Sequence, residues 1–282
     1  MYRIEIDDMD IEQIARSGQC FRMGKQAEEP GVWTVAAAEE YVEIMKEGNA
    51  FLFSCEEETF RKKWAGYFDL KTDYSVYKKS IDAGDSYLSD AAKYGWGVRI
   101  LNQDLWEMIV TFLISQNNNI ARITGSIDKL CQTLGEERKG AGFEKERIYY
   151  AFPKPEAIVR AGTEDLSRLG LGYRDKYVLE AAVKCSGTDG KAWLESLRKA
   201  DYETAHRMLM GQYGIGRKVA DCICLFGLHH VGAFPIDTHV RQILESYYPQ
   251  GFPLERYKGY AGILQQYMFY YKVNKMKRDS RI

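Results

Sequence analysis

The sequence has no cysteine pair at C-x-x-C spacing, no run of eighteen apolar residues and almost no net charge. Each absence removes a class. The cysteines (Cys20, Cys55, Cys131, Cys185, Cys222 and Cys224) are scattered through 282 residues. That scatter favours free thiols in a reducing compartment over a disulfide framework. Lacking a long apolar run, the chain should not span a membrane, and residues 1–5 do not open a signal peptide. A cytoplasmic protein is expected, nucleoid-associated if prokaryotic. A net charge of −1 with a pI near 6.5 argues mildly against nucleic-acid binding as a bulk property, but such affinity follows local charge. The basic stretch at residues 272–281 is a solvated tail or a phosphate contact. What is present, 45% hydrophobic and 28% charged residues, describes a soluble protein of two modest domains.

Residues 2–6, 19–23, 32–35, 41–45 and 50–54 alternate or carry strand formers at hairpin spacing, so the first fifty-five residues read as an antiparallel sheet. The period then changes, and residues 59–67 and 81–94 read as helices. Tyr94-Gly95-Trp96-Gly97 breaks the pattern and divides a domain at 1–94 from one at 95–282. Leu105, Met108, Ile109, Phe112 and Leu113 form one apolar helical face, with Asp104 or Asn102 as cap. Asn117-Asn118-Asn119 interrupts, because Asn favours turns, and helix resumes from Ile120 to Gly135. Further helices are expected over 161–169 and 175–184, separated by Gly170-Leu171-Gly172. The fold class expected is α+β, an N-terminal antiparallel sheet packed on a mainly α-helical domain.

Residues 201–224 organise that helical domain. Asp201 caps a helix over 201–209; Gly211, Gly214 and Gly216 then supply a turn with positive φ; Val219, Ala220, Ile223 and Phe226 continue as a second helix. Such a helix-hairpin-helix turns the first amides of its second helix toward phosphate, which makes Gly214 and Gly216 candidate contacts to a DNA backbone. Lys218 lies one step inside that helix, and Asp237 follows in Pro235-Ile236-Asp237-Thr238-His239. Taken alone, Lys218 suits a phosphate contact or solvent, Asp237 a helix cap and His239 a structural role. On the same terms Phe269 is core, Gln265 a surface amide and the Asn run a plain turn.

Taken together these blocks resemble a known family. The Lys and Asp at this separation fit the helix-hairpin-helix/Gly-Pro-Asp glycosylases. Lys218-Val219-Ala220-Asp221-Cys222-Ile223-Cys224, Asn117-Asn118-Asn119-Ile120-Ala121-Arg122, Leu169-Gly170-Leu171-Gly172-Tyr173-Arg174 and Gly18-Gln19-Cys20-Phe21-Arg22 are similar to 8-oxoguanine DNA glycosylases. The blocks occur in the family's order between about residues 17 and 270. The resemblance implies a bifunctional enzyme that flips 8-oxoguanine out of double-stranded DNA, preferably opposite cytosine. It would excise the base and cleave the strand by β-elimination through a lysine Schiff base.

In that scheme Lys218 is the nucleophile and Asp237 steadies positive charge at the sugar. Cys222 and Phe269 sandwich the flipped base, Gln265 bonds its Watson–Crick edge and the Gly18 carbonyl accepts its N7 proton. Asn117, Arg122 and Arg174 contact the opposite cytosine, Tyr173 wedges into the stack and His239 contacts a phosphate. No cofactor or catalytic metal is expected, although the hairpin carbonyls could take a structural K⁺ or Ca²⁺. The partner is DNA containing oxidised guanine, and a monomer is expected. The rivals are an alkylbase DNA glycosylase and a non-catalytic helix-hairpin-helix DNA-binding module. Tyr213 stands where the family often has Pro, and Lys272 where some relatives carry an acid facing the His. The lack of a four-cysteine cluster after the hairpin argues against the iron–sulfur branch.

Overall fold

The alternation near the N-terminus builds the expected sheet. The computed structural model describes residues 1–279, so the end of the basic run, 280–282, lies outside the described residues. Strands β1 (Tyr2–Glu5), β2 (Met23–Lys25), β3 (Val32–Ala37), β4 (Glu40–Glu47) and β5 (Ala50–Phe53) pair antiparallel in the order β1-β5-β4-β3-β2. Val35 faces Val42, and Ile44 lies between Trp33 and Phe53. The buried face packs with α1 (Ile11–Ala15) and with a continuous helical run over residues 57–67. That run comprises α2 (Glu57–Thr59), a π turn (Phe60–Trp64) and α3 (Ala65–Tyr67). Ile14, Val35, Ile44, Phe53, Phe60 and Trp64 form the centre of this smaller core.

Residues 19–22 were expected in a strand, but only β2 at Met23–Lys25 pairs with β3. The preceding segment is an irregular strap, joined to β3 at Arg22 O, which accepts from Ala36 N (3.0 Å), and held elsewhere largely by side chains. Gln103 Nε2 donates to Gln19 O (2.9 Å), and Leu101 N donates to Gln19 Oε1 (2.8 Å). Arg22 ends the strap in a buried ion pair with Glu107 (3.3 Å).

Carboxylate caps decide where several helices begin. The helix expected over 81–94 begins later, as α5 (Ser86–Tyr94), on Asp85, which accepts from Leu88 N at 2.9 Å; it is preceded by a short helix that sequence reading did not anticipate, α4 (Tyr74–Lys79), which starts on Asp73. Asp82 and Gly84 turn the chain between them. α6 (Leu105–Ile114) is buried along its whole length and capped by Asp104; α7 (Ile120–Leu134) is capped by Asn119. A hairpin then follows that sequence reading did not anticipate, β6 (Glu137–Ala141) and β7 (Glu146–Tyr150). Its Arg147 donates to the wholly buried Glu43 of β4 at 2.8 Å.

α8 (Pro155–Arg168) begins earlier than expected, because Pro155 suits a first turn, and Gly162 breaks it at φ +66°. α9 (Arg174–Cys185), α10 (Gly187–Lys199), α11 (Tyr202–Met210), α12 (Arg217–Gly227), α13 (Thr238–Tyr247) and α14 (Ala261–Asp279) complete the helical body. Its core includes Leu105, Leu113, Ile127, Leu209, Ile223 and Leu264. The division expected near Tyr94 falls just after α5, whose Leu88, Ala91 and Ala92 join this larger core. Among the described residues no helix is long and apolar enough to cross a membrane.

Candidate active site

The site lies where the strap, the hairpin and the two last helices converge. Asp201 caps α11 by accepting from Thr204 N (2.8 Å), as its position implied. The chain then turns through Gln212, whose carbonyl accepts from Ile215 N (3.2 Å). Only Gly214 uses the left-handed region, at φ +83°; Gly211 (φ −72°) and Gly216 (φ −92°) do not, which corrects the expectation of three such glycines. Gly214 is needed for a second reason: a Cβ there would meet the Tyr177 ring at 2.5 Å. Gly216 is the N-cap of α12 and no side chain caps that helix end, so its first amides remain available to an anion.

Lys218 emerges from the first turn of α12 into a pocket shared with Gly18, Cys222, Asp237, Gln265 and Phe269. The catalytic and base-contacting positions expected from sequence therefore converge. Lys218 Nζ sits 5.4 Å from the centroid of the Phe112 ring. Phe112 was read only as part of an apolar helix face, and nothing in its periodicity marks it as pocket wall. Burial pushes the Cys222 thiol up to about 11, against the pull of Lys218 nearby; the sulfur stays neutral near pH 7 and offers a soft apolar surface. Asp221, on the adjoining face of α12, is turned away. It accepts from Tyr202 OH (2.6 Å) and lies 3.3 Å from His206 Nε2.

Asp237 caps α13, accepting from Val240 N at 2.8 Å, and still borders the pocket. Gln265 is 4% exposed. Its Nε2 donates to Pro235 O (3.1 Å), an oxygen that can only accept, which fixes the orientation of the amide. Its Oε1 is buried without a partner. An orphaned acceptor of this kind costs about 1–3 kcal/mol unless a ligand supplies the donor. Gly18 (φ +75°) packs so close to Phe269 that a Cβ would lie 2.9 Å from its Cε1. The His239 ring is exposed and meets Phe269 edge-on at 5.9 Å.

The pocket opens into a cleft of about 1060 Å³ bordered by Asn117, Gly216, Arg217, His239, Arg241 and Lys272. Asn117 is exposed at φ +47°, and its Nδ2 donates to Tyr173 OH (3.1 Å). Tyr173 is 48% exposed, and Arg122 projects from the first turn of α7 into solvent. Arg174 differs from these three. It is 8% exposed, and its guanidinium donates to Leu171 O (3.1 Å), Asn117 O (3.1 Å) and Gln116 O (2.8 Å from Nε). With a second bond to Gln116 O, these use four of its five N–H donors and brace the backbone that presents Asn117.

A glycine hairpin offering helix amides, with a lysine and a capping aspartate beside a base-sized pocket, defines the helix-hairpin-helix class of base excision DNA repair proteins. Comparison with known proteins narrows this. Residues 1–109 match the family model described as 8-oxoguanine DNA glycosylase, N-terminal domain, and residues 110–251 match the HhH-GPD superfamily base excision DNA repair protein. The structure of MBOgg1 in complex with a low-affinity DNA ligand superposes with a TM-score of 0.89 at 33% identity, covering 97% of this chain and 96% of that one. The Clostridium acetobutylicum 8-oxoguanine glycosylase/lyase, solved with double-stranded DNA containing cytosine opposite to 8-oxoG, gives 0.85 at 30% identity, covering 100% and 99%. The N-glycosylase/DNA lyase of Saccharomyces cerevisiae is 40% identical over 164 residues, 54% of this chain and 42% of its own. The chain thus spans less than half the length of that relative, and of one from Arabidopsis thaliana. It belongs to the 8-oxoguanine DNA glycosylase family of the HhH-GPD superfamily.

Proposed function

We propose that the protein is a bifunctional DNA glycosylase and AP lyase that removes 8-oxoguanine from duplex DNA, preferably opposite cytosine. The observation that carries this reading is Lys218 and Asp237 sharing one pocket with the unpartnered acceptor of Gln265. The flipped base lies between Cys222 and Phe269. Its N1–H and N2–H donors meet Gln265 Oε1, and its N7–H meets the Gly18 carbonyl, where unoxidised guanine would oppose one lone pair with another. A wrongly paired buried polar group can discriminate strongly.

As the glycosidic bond lengthens, positive charge grows at C1′ and the Asp237 carboxylate stabilises it. The neutral Lys218 amine attacks C1′ and the base departs with the bonding electron pair. Loss of a nitrogen proton and opening of the sugar ring give the Schiff base. Removal of a C2′ proton then expels the 3′-phosphate, and water releases the lysine. Asn117 and Arg122 contact the cytosine left behind, Tyr173 fills the vacated stack, and Arg174 supports Asn117 from beneath. His239 and the amides after Gly214 and Gly216 hold phosphates. No cofactor enters this scheme; a structural K⁺ or Ca²⁺ at the hairpin would use second lone pairs of its carbonyls. The protein acts as a monomer on nucleoid or other cellular DNA.

Borohydride reduction of the protein mixed with an 8-oxoguanine:cytosine duplex tests the reading. A covalent adduct should form with the wild-type chain and vanish in Lys218→Gln. Equal strand nicking by Lys218→Gln would sink it.

A further inference from the structure

We propose that Gln266 is a specificity-determining residue: by gripping the strap on one side of Gly18, it sets how sharply oxidised guanine is separated from guanine. The inference rests on the functional reading above and concerns a residue that borders the base pocket but whose amide is turned to the strap.

The strap at residues 17–22 is tied to the sheet at its far end, where Arg22 O accepts from Ala36 N of β3 (3.0 Å), but among the described residues no strand pairs with it around Gly18. Buried side chains hold it instead. Ser17 Oγ donates to Ile14 O (2.7 Å); Gln19 Nε2 donates to Ser17 Oγ (2.8 Å) and to Arg99 O (2.8 Å). The carbonyls flanking Gly18 are each taken by an amide from elsewhere in the fold. Gln266 Nε2 of α14 donates to Ser17 O, and Gln103 Nε2 donates to Gln19 O (2.9 Å). Ser17 and Gln19 are 0% exposed, Gln266 is 3% and Gln103 is 6%. Among the described residues the Gly18 carbonyl between them accepts no hydrogen bond. A free acceptor is therefore held between two clamped ones.

Gly18 itself resists nothing. It has no side chain and sits at φ +75°, so its peptides would swing readily if the clamps were lost. The distinction between the two bases is the difference between a donor and an acceptor at N7. A carbonyl that can retreat by several tenths of an ångström no longer repels the unoxidised base or rewards the oxidised one, since recognition groups must be held within about 0.5 Å. Gln266 neighbours Gln265 in sequence and lies three residues before Phe269, so the helix that reads and stacks the base also anchors the strap that judges it. Gln265 Oε1 can bond guanine and 8-oxoguanine alike; the strap supplies the difference.

The test is Gln266→Met, which preserves length and removes the donor. Single-turnover release of 8-oxoguanine and of guanine, each opposite cytosine, is compared with nicking of a duplex carrying a ready-made abasic site. The 8-oxoguanine-to-guanine ratio should fall about tenfold, the worth of one buried hydrogen bond, while abasic-site nicking stays within about twofold. An unchanged ratio overturns the proposal. So does an equal loss in all three reactions, which would make Gln266 a packing residue only. If Gln266→Met does not fold, Gln103→Met releases the other clamp and must lower the same ratio; failure of both to fold makes the clamps stability elements and also overturns it. A wild-type chain with no preference for 8-oxoguanine would instead remove the functional reading on which the inference stands.

Discussion

Asp237 caps a helix and lines the pocket, and a single substitution can separate the cap from the catalytic role proposed for it. Its carboxylate caps α13 through Val240 N and borders the pocket beside Lys218. Asn caps helices about as well as Asp, so Asp237→Asn should keep the bond to Val240 N. It loses only the favourable charge at the helix N-terminus, about 0.3–1 kcal/mol. The catalytic loss should be far larger, about a hundredfold or more in single-turnover excision, because the developing C1′ cation loses its fixed counter-charge. A melting curve and a quenched-flow rate on the same preparation check both parts; retention of most of the rate would reduce Asp237 to a cap. That Lys218, Asp237 and Gly18 would share a pocket was legible in the sequence, because each stands in a motif with constrained neighbours. Phe112 and Gln266 were not, since a pocket wall and a buried clamp look locally like any core aromatic and any helix amide. The burial of Arg174 was equally hidden: it depends on how the backbone at 116–117 curls, which no local pattern records.

Among the elements, the hairpin and the Asn loop behave as one piece. Gln116 Nε2 donates to Gly214 O at 3.1 Å, while Arg174 holds the carbonyls of Gln116 and Asn117. Tyr177 lies under the hairpin with its ring edge-on to both Tyr173 (5.7 Å) and Tyr213 (5.1 Å). Tyr213, in the place where Pro is frequent in the family, thus stiffens the turn through ring contact. Two glycines two residues apart should then differ sharply. Gly214→Ala forces a side chain into φ +83° and against Tyr177, at a cost of about 1–3 kcal/mol. Gly216→Ala enters open space at φ −92° and should cost less than about 1 kcal/mol, since Ala is the weaker cap. Urea midpoints rank the two, and equal destabilisation would contradict this account of the turn. The elements best read in advance were those with side-chain caps, at Asp104 and Asp201, because capping is local chemistry. The β6–β7 hairpin escaped because Glu137-Arg138-Lys139-Gly140-Ala141 carries little apolar alternation and is held by the distant Glu43.

For the molecule as a whole, a net charge of −1 conceals a segregated field. The cleft collects Arg217, Lys218, Arg241 and Lys272 with His239, against one carboxylate, Asp237. Composition averages this away, which is why the charge balance weighed against DNA while the motifs pointed toward it. Lys272 belongs to this arrangement in a way its place in α14 did not reveal. It is half-buried, borders the same cleft as His239 and forms no ion pair among the described residues. An uncommitted ammonium beside a DNA-sized groove is suited to a phosphate, and neutralising one phosphate releases a definite quantity of counterion. Lys272→Met should therefore reduce the slope of log Kd against log salt by about 0.9, and the loss of affinity should shrink as salt rises. The rate at saturating duplex should change much less than the affinity, since the side chain acts on the bound strand and not on C1′. Titrating fluorescent duplex at four salt concentrations measures the slope. An unaltered slope would place Lys272 off the DNA path and leave His239 and the hairpin amides to hold the phosphates by themselves.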